Sequence, residues 1–182
     1  MTGSQTSRPV ARGRKKRSVP LSKLRTSEAV RTVVDHPRRL DELVGLLEDR
    51  DVILRERAAA AVARLAESCP ERLLRIVERM KAALSDDSAY VRWHVAYALG
   101  RLGIRFPVRS AEFLAELAGV LEDGNRVVRA LALRALTDLA ARKPRVFQEA
   151  FSSSGATSFP PSLARLLREA GAKSRKSLRS KD

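Results

Sequence analysis

Apolar residues recur at helical spacing through most of the chain, and they recur as a set. Leu54, Ala58, Ala61, Val62 and Leu65 fall at i, i+4, i+7, i+8 and i+11, the spacing of one face of an α-helix. The same five places 37 residues later hold Val91, Val95, Ala98, Leu99 and Leu102, and 37 later again Val128, Ala132, Ala135, Leu136 and Leu139. A shorter apolar run precedes each of these. It reads Leu40, Leu43, Leu46 and Leu47, then Val77, Met80, Ala83 and Leu84, then Leu114, Leu117, Val120 and Leu121. No segment alternates apolar and polar residues as a half-buried strand would. The pattern predicts an all-α chain of paired helices, an A helix followed by a B helix in each unit.

The residues between the runs keep the same period. Asp51, Ser88 and Asn125 precede the three B helices. They differ in identity but share one ability, since each carries a short acceptor that can cap unpaired amides of a first helical turn. Pro70, Pro107 and Pro144 open the A helices, where a missing N–H costs nothing. A fixed period in this range is the signature of a stacked-repeat architecture, for which three units are about the minimum.

The phrases opened by Leu47, Leu84 and Leu121 follow L-x-D-x-x-x-x-V/L-R-x-x-x-A/V-x-x-A-L/V. That pattern resembles a HEAT repeat, or the related HEAT-like repeat of the phycobilisome-lyase type. The resemblance covers roughly residues 37–143. It implies an α-solenoid, a right-handed superhelix of antiparallel helix pairs with three HEAT-like repeats and helical caps. It further implies a ladder between neighbouring units, built by position from Asp49, Asp86 and Asp123 with Arg55, Arg92 and Arg129. We read these six as structural. The first unit departs from the pattern, with Glu56 and Arg57 where the second carries Trp93 and His94.

The domain plan follows. Residues 1–25 read as a basic disordered tail and 26–151 as the repeat domain, with repeats at about 37–67, 70–103 and 107–141 and a partial fourth unit at 144–151. Residues 27–35 form a capping helix. Residues 161–170 (PSLARLLREA), stopped by Gly171, form a short C-terminal helix covering the last repeat, and 172–182 form a second basic disordered tail. At 182 residues the chain is long enough to bury a core without covalent staples.

Charge refines this plan. The net charge of +15 is unevenly placed: residues 1–25 hold eight basic residues and no acid, whereas 26–143 hold 20 basic against 18 acidic. Sequences such as RPVARGRKKRSVP have too few apolar residues to offset the entropy of ordering. Basic blocks of this kind contact polyanions, so Arg12, Arg14, Lys15, Lys16 and Arg17 are the candidates for gripping phosphate. RGRKKR also resembles a monopartite nuclear localisation signal. With no long apolar run, no hydrophobic secretory core and a lone cysteine, Cys69, the expectation is a cytoplasmic monomer without a membrane span or disulfide.

Subtracting the repeat leaves one conspicuous departure. Trp93 and Tyr97 lie one turn apart in the second B helix, opposite its core face. Their counterparts are Glu56 and Ala60 in the first unit and Ala130 and Arg134 in the third. The HEAT resemblance places B helices on the concave surface, so the pair would lie mid-groove, exposed by the small Ala60, Ala63, Gly100 and Ala130. Trp, Tyr and Arg are enriched in interface hot spots, which makes Trp93, Tyr97, Arg134 and Arg101 the candidate partner-binding set. The alternative is that Trp93 packs over Ala130 of the next repeat.

Catalysis has little support. HEAT-like alkylpurine DNA glycosylases pair groove aromatics with an aspartate, whereas the stripe beside Trp93 offers Tyr97, Gly100 and Arg101 and no carboxylate, Asp138 standing at its margin. His36 and His94 lack further ligands at zinc spacing, and no phosphate-loop or nucleophile motif occurs. No cofactor or metal is expected. The function expected is a non-catalytic scaffold or adaptor that binds a protein or peptide along the B helices. The alternative is a nucleic-acid-associated protein whose basic tails bind phosphate.

Overall fold

The structure, a computed structural model, describes residues 18–153 together with Pro161. Among these residues every regular element is helical. The α-helices are α1 (Thr26–Asp35), α2 (Leu40–Leu47), α3 (Val52–Ser68), α4 (Val77–Ala83), α5 (Ala89–Arg105), α6 (Leu114–Gly119), α7 (Arg126–Arg142) and α8 (Pro144–Ser153). The B helices are thus α3, α5 and α7, 17 residues each. The prolines open tighter turns ahead of the A helices, 3₁₀ segments at Pro37–Arg39, Pro70–Ile76 and Pro107–Glu112. Pro144 starts α8 directly.

Each B helix starts at a turn built twice over from short polar side chains. The Oδ1 atoms of Asp49, Asp86 and Asp123 accept from the backbone N–H of Asp51, Ser88 and Asn125 at 2.9, 2.8 and 2.7 Å. Those three residues then cap the helices, accepting from Ile53, Tyr90 and Val127 at 2.9, 3.1 and 2.9 Å. Amides otherwise orphaned at a helix start are satisfied in this way.

The same aspartates join the units. Arg55 donates from Nε and Nη2 to Asp86 at 2.7 and 3.3 Å. Arg92 repeats this toward Asp123 at 2.7 and 3.0 Å. Each guanidinium also donates from Nη1 to two carbonyls of its own turn, Asp49 and Arg50 for Arg55, Asp86 and Asp87 for Arg92. Arg129 makes the local bonds to Asp123 and Gly124, and the place of the next ladder aspartate, one period on from Asp123, holds Pro160. Asp49 stands at the other end, where the position of the arginine one period back is Ser18. The ladder therefore has two rungs among the described residues, each linking an arginine to the aspartate of the following unit.

Apolar faces on the two layers close over one continuous core. Val91, Val95, Ala98, Leu99 and Leu102 of α5 are fully buried, as are Met80, Leu114 and Phe113 from the A layer. In the first unit Leu46 and Leu54 are only half-buried, because they face the N-terminal segment and not a complete preceding repeat. Neighbouring B helices touch closely. A Cβ on Gly100 of α5 would overlap that of Ala135 in α7 and lie 3.4 Å from its Cα, so only glycine allows this crossing.

The N-terminal boundary expected at residue 26 lies further upstream. Leu21 is buried in the core, and its N–H donates to Glu42 at 2.6 Å. Arg39 donates to the Val19 carbonyl at 2.7 Å, and Arg57 donates to the carbonyls of Ser22 and Leu24. This explains the departure at Arg57, which clips the leading segment where His94 meets an aromatic neighbour in the next unit. Arg72 then binds the end of α1, donating to the Val33 and Val34 carbonyls at 2.8 Å. The remainder of the first tail, the helix expected over 161–170 apart from Pro161, and the tail over 172–182 lie outside the described residues. At that end α8 packs on α7 and the Pro107–Glu112 turn, with Phe147 fully buried. No helix among the described residues is long and apolar enough to cross a membrane.

Candidate functional site

The faces of α3, α5 and α7 away from the A layer carry two clefts, one at each B-helix junction. The first, about 290 Å³, lies between α3 and α5 and is lined by Ala60, Ala63, Arg64 and Glu67 from one helix and Tyr90, Trp93, His94 and Tyr97 from the other, with Thr26 at its end. The second, about 190 Å³, lies between α5 and α7 and is lined by Tyr97, Gly100, Arg101, Ile104, Leu131, Arg134, Ala135 and Asp138. Tyr97 belongs to both. Small residues open the first cleft at Ala60 and Ala63, and Gly100 opens the second.

Trp93 is half-buried and packed within its own helix. Its ring stacks on His94 with centroids 3.6 Å apart and planes at 25°, and Tyr90 meets it edge-on at 5.3 Å. Such arrangements suit the aromatic quadrupole. The alternative expected from sequence, that Trp93 covers Ala130 of the next unit, is not the arrangement found. Trp93 lines the cleft toward the preceding unit, over Ala60 and Ala63. His94 is buried and its Nδ1 lies 2.8 Å from the Tyr90 carbonyl. Burial pushes its pKa below the ordinary value, the Tyr90 carbonyl opposes that, and Arg64 adds to it. A neutral imidazole can thus sit flat beneath the indole.

The four residues predicted to bind a partner do not form one cluster. Trp93 lies in the first cleft, Arg101 and Arg134 lie in the second, and Tyr97 bridges them. The Tyr97 hydroxyl donates to Glu67 of α3, which raises the pKa of the phenol, chiefly through that bond. Glu67 corrects the expectation that no carboxylate stands beside the aromatics. Its helix position is three residues past Arg64, and only the juxtaposition of α3 with α5 brings it to Tyr97. Tyr90, His94 and Glu67 are the site residues that sequence reasoning missed. Tyr90 was findable from the period, since Ile53, Tyr90 and Val127 are equivalent positions. All three are exposed, at 55, 45 and 50%, and they form an apolar row along the start of the B helices.

Arg12, Arg14, Lys15, Lys16 and Arg17, the candidates for phosphate, lie outside the described residues. Within the described residues, no group of three or more His, Cys, Asp or Glu is placed to hold a metal.

Comparisons with known proteins agree with this architecture. The model of the Cnd1 family, non-SMC mitotic condensation complex subunit 1, matches residues 68–157, just under half of the chain. Among solved structures, a computationally designed armadillo repeat protein for modular peptide recognition is similar with TM-score 0.61 at 19% identity, over 82% of this chain and 71% of that one. A designed armadillo repeat protein in complex with the peptide (KR)4 is similar with TM-score 0.56 at 20% identity, over 84% of this chain and 79% of that one. An engineered protein gives TM-score 0.55 at 22% identity, over 82% and 68%. No curated protein sequence matches significantly. At these identities the structural likeness establishes an all-α repeat solenoid.

Proposed function

We propose that this chain, a HEAT-like repeat protein, is a non-catalytic scaffold that binds a protein or peptide partner along the open face of α3, α5 and α7. The observation that carries the reading is the pair of clefts joined at Tyr97, with Trp93 and Tyr97 as aromatics that neither neighbouring unit has at the equivalent positions. Large amphipathic rings beside small residues offer contact area at low entropic cost, the composition of an interface anchor. Two comparisons support it. The structural neighbours include one designed for peptide recognition and one holding a peptide, and the matching family is described as a subunit of a complex. Fold-level likeness is analogy, so the weight rests on the clefts.

The test is Trp93→Ala and Tyr97→Ala in the full chain. Partner capture should fall at least tenfold while the melting temperature of Trp93→Ala shifts by only a few degrees. A large loss of stability with capture retained would make Trp93 a packing residue and end the proposal.

A second reading, nucleic-acid binding, rests on the eight basic residues and no acid within residues 1–25. Phosphate contacts give affinity that falls steeply with salt. Replacing Arg12, Arg14, Lys15, Lys16 and Arg17 with glutamine should abolish duplex binding at physiological salt if this reading holds. Binding that is already negligible there in the native chain removes it.

A further inference from the structure

We infer that the α5–α7 cleft takes an acidic side chain, so that the occupant of the groove is an acidic peptide with apolar residues reaching toward Trp93. This rests on the groove reading above and adds the chemistry of its partner. The two clefts are equivalent in the repeat but differ in charge, the first balanced and the second with one excess cation. The first holds Arg64 and Glu67, with Glu56 near enough to act on His94. The second holds Arg101 and Arg134 against Asp138. Arg101 is exposed and has no hydrogen bond or ion pair with a carboxylate among the described residues. Arg134 is 80% exposed, and its contact to Asp138 is 3.9 Å, the limit of an ion pair between residues four apart on one helix.

These two arginines differ from Arg55, Arg57, Arg92 and Arg105, and the counterpart of Arg101 in the first cleft, Arg64, shares that cleft with Glu67. Arg55 and Arg92 are spent on the ladder, Arg57 holds the leading segment, and Arg105 lies over the Phe106 ring at 5.7 Å. Arg101 and Arg134 converge from neighbouring helices on one cleft, and both act on the Tyr97 phenol. Two guanidinium forks beside an apolar wall of Ile104 and Leu131 suit a carboxylate, which can accept bidentate, charge-assisted bonds there. A continuous nucleic-acid backbone fits less well, because Glu67 and Asp138 would each face phosphate along the same face.

Trp93 is the sole tryptophan, so its emission reports occupancy directly. The full chain is titrated with the octapeptides (EL)4, (KR)4 and (GS)4 and with an eight-residue oligothymidylate. We expect a saturable change with (EL)4, at least tenfold tighter than with (KR)4, and an inverted preference in the double variant Arg101→Glu, Arg134→Glu. Both positions are exposed, so that variant should fold, and a native circular dichroism melt checks it. Equal or tighter binding of (KR)4 to the native chain would overturn the inference while leaving the groove reading intact. So would (EL)4 binding that the double variant leaves unchanged, which would place acidic peptides on the basic tails. Tighter binding of the oligothymidylate would make the cleft a phosphate site. No emission change with any probe would overturn both the inference and the groove reading.

Discussion

The junction between α3 and α5 and the junction between α5 and α7 are built on one plan and finished differently. On the turn side they are near copies. Arg55 and Asp86 meet at 2.7 Å, Arg92 and Asp123 meet at 2.7 Å, and each arginine is tied to its own turn by the same pair of carbonyls. On the open side they share only Tyr97: one is aromatic with a glutamate at its edge, the other small and rich in arginine. The difference separates two demands on one helix. Residues that set the stacking distance cannot vary without misaligning every later unit, whereas open-face residues such as Arg101 and Arg134 set no stacking distance. Repetition carries the frame, and its local failures carry recognition.

The most drastic way to break both junctions at once is a charge in the helix they share. Leu99 is fully buried in α5, and a lone carboxylate there costs more than about 4 kcal/mol. Leu99→Asp should abolish the cooperative helical melt followed by circular dichroism. Leu139→Asp, in a helix with only one described B-helix neighbour, should leave a residual helical signal and a broad transition, as nearest-neighbour stability requires. Identical losses at both sites would contradict the stacking order.

A milder cut removes one rung. Asp123→Ala leaves Arg92, whose side chain is 17% exposed, without its carboxylate and should cost about 1–3 kcal/mol. Asp49→Ala removes only a turn hydrogen bond, about 1 kcal/mol or less. Urea midpoints compare the two, and equal costs would mean the rung adds nothing. The rung also has a pH signature. Hydrogen bonding to Arg92 is the main cause holding the Asp123 carboxyl below its ordinary value of 3.8. A depressed folded-state pKa gives stability that is complete above the unfolded value and is lost as pH falls through the folded one. The rung's contribution should therefore persist above about pH 5 and fade below about pH 4. Asp123→Asn keeps the acceptor for Asn125 but should flatten that part of the acid profile.

The smallest effects have opposite signs. Gly100→Ala gains helix propensity of about 1 kcal/mol but overlaps Ala135 across the α5–α7 junction. Overpacking costs about 1–3 kcal/mol, so net destabilisation of about 1 kcal/mol is expected. Gly45→Ala in α2 meets nothing within 4 Å and should stabilise by about 0.5–1 kcal/mol. Thermal melts read both, and a stabilising Gly100→Ala would show that the helices can part.

The fold was legible because its determinants are local and repeated. The caps at Asp51, Ser88 and Asn125 and the apolar places of α5 and α7 announce themselves three times at one spacing. The site was legible only in part. Trp93 and Tyr97 stand out as departures, but which neighbour each ring faces depends on how one helix is rotated against the next, a property of the junction that no single segment contains. The same reason hid Glu67, which reaches Tyr97 only across the gap between helices. The N-terminal boundary was misplaced because Leu21 is one of only a few scattered apolar residues in a basic stretch. Its burial depends on Glu42 and Arg57, far along the chain.

The ladder has a consequence for how such a chain can change length. Each rung joins an arginine to the aspartate 31 positions later, so a duplicated stretch of one whole period imports one of each and restores every pairing on both sides of the splice. A tandem copy of residues 87–123 lengthens the array without stranding a charge, and deleting the same stretch shortens it as cleanly. Growth by whole units is thus neutral to the frame, and a copy of 87–123 arrives with its own Trp93 and Tyr97, a spare anchor free to diverge toward a new contact.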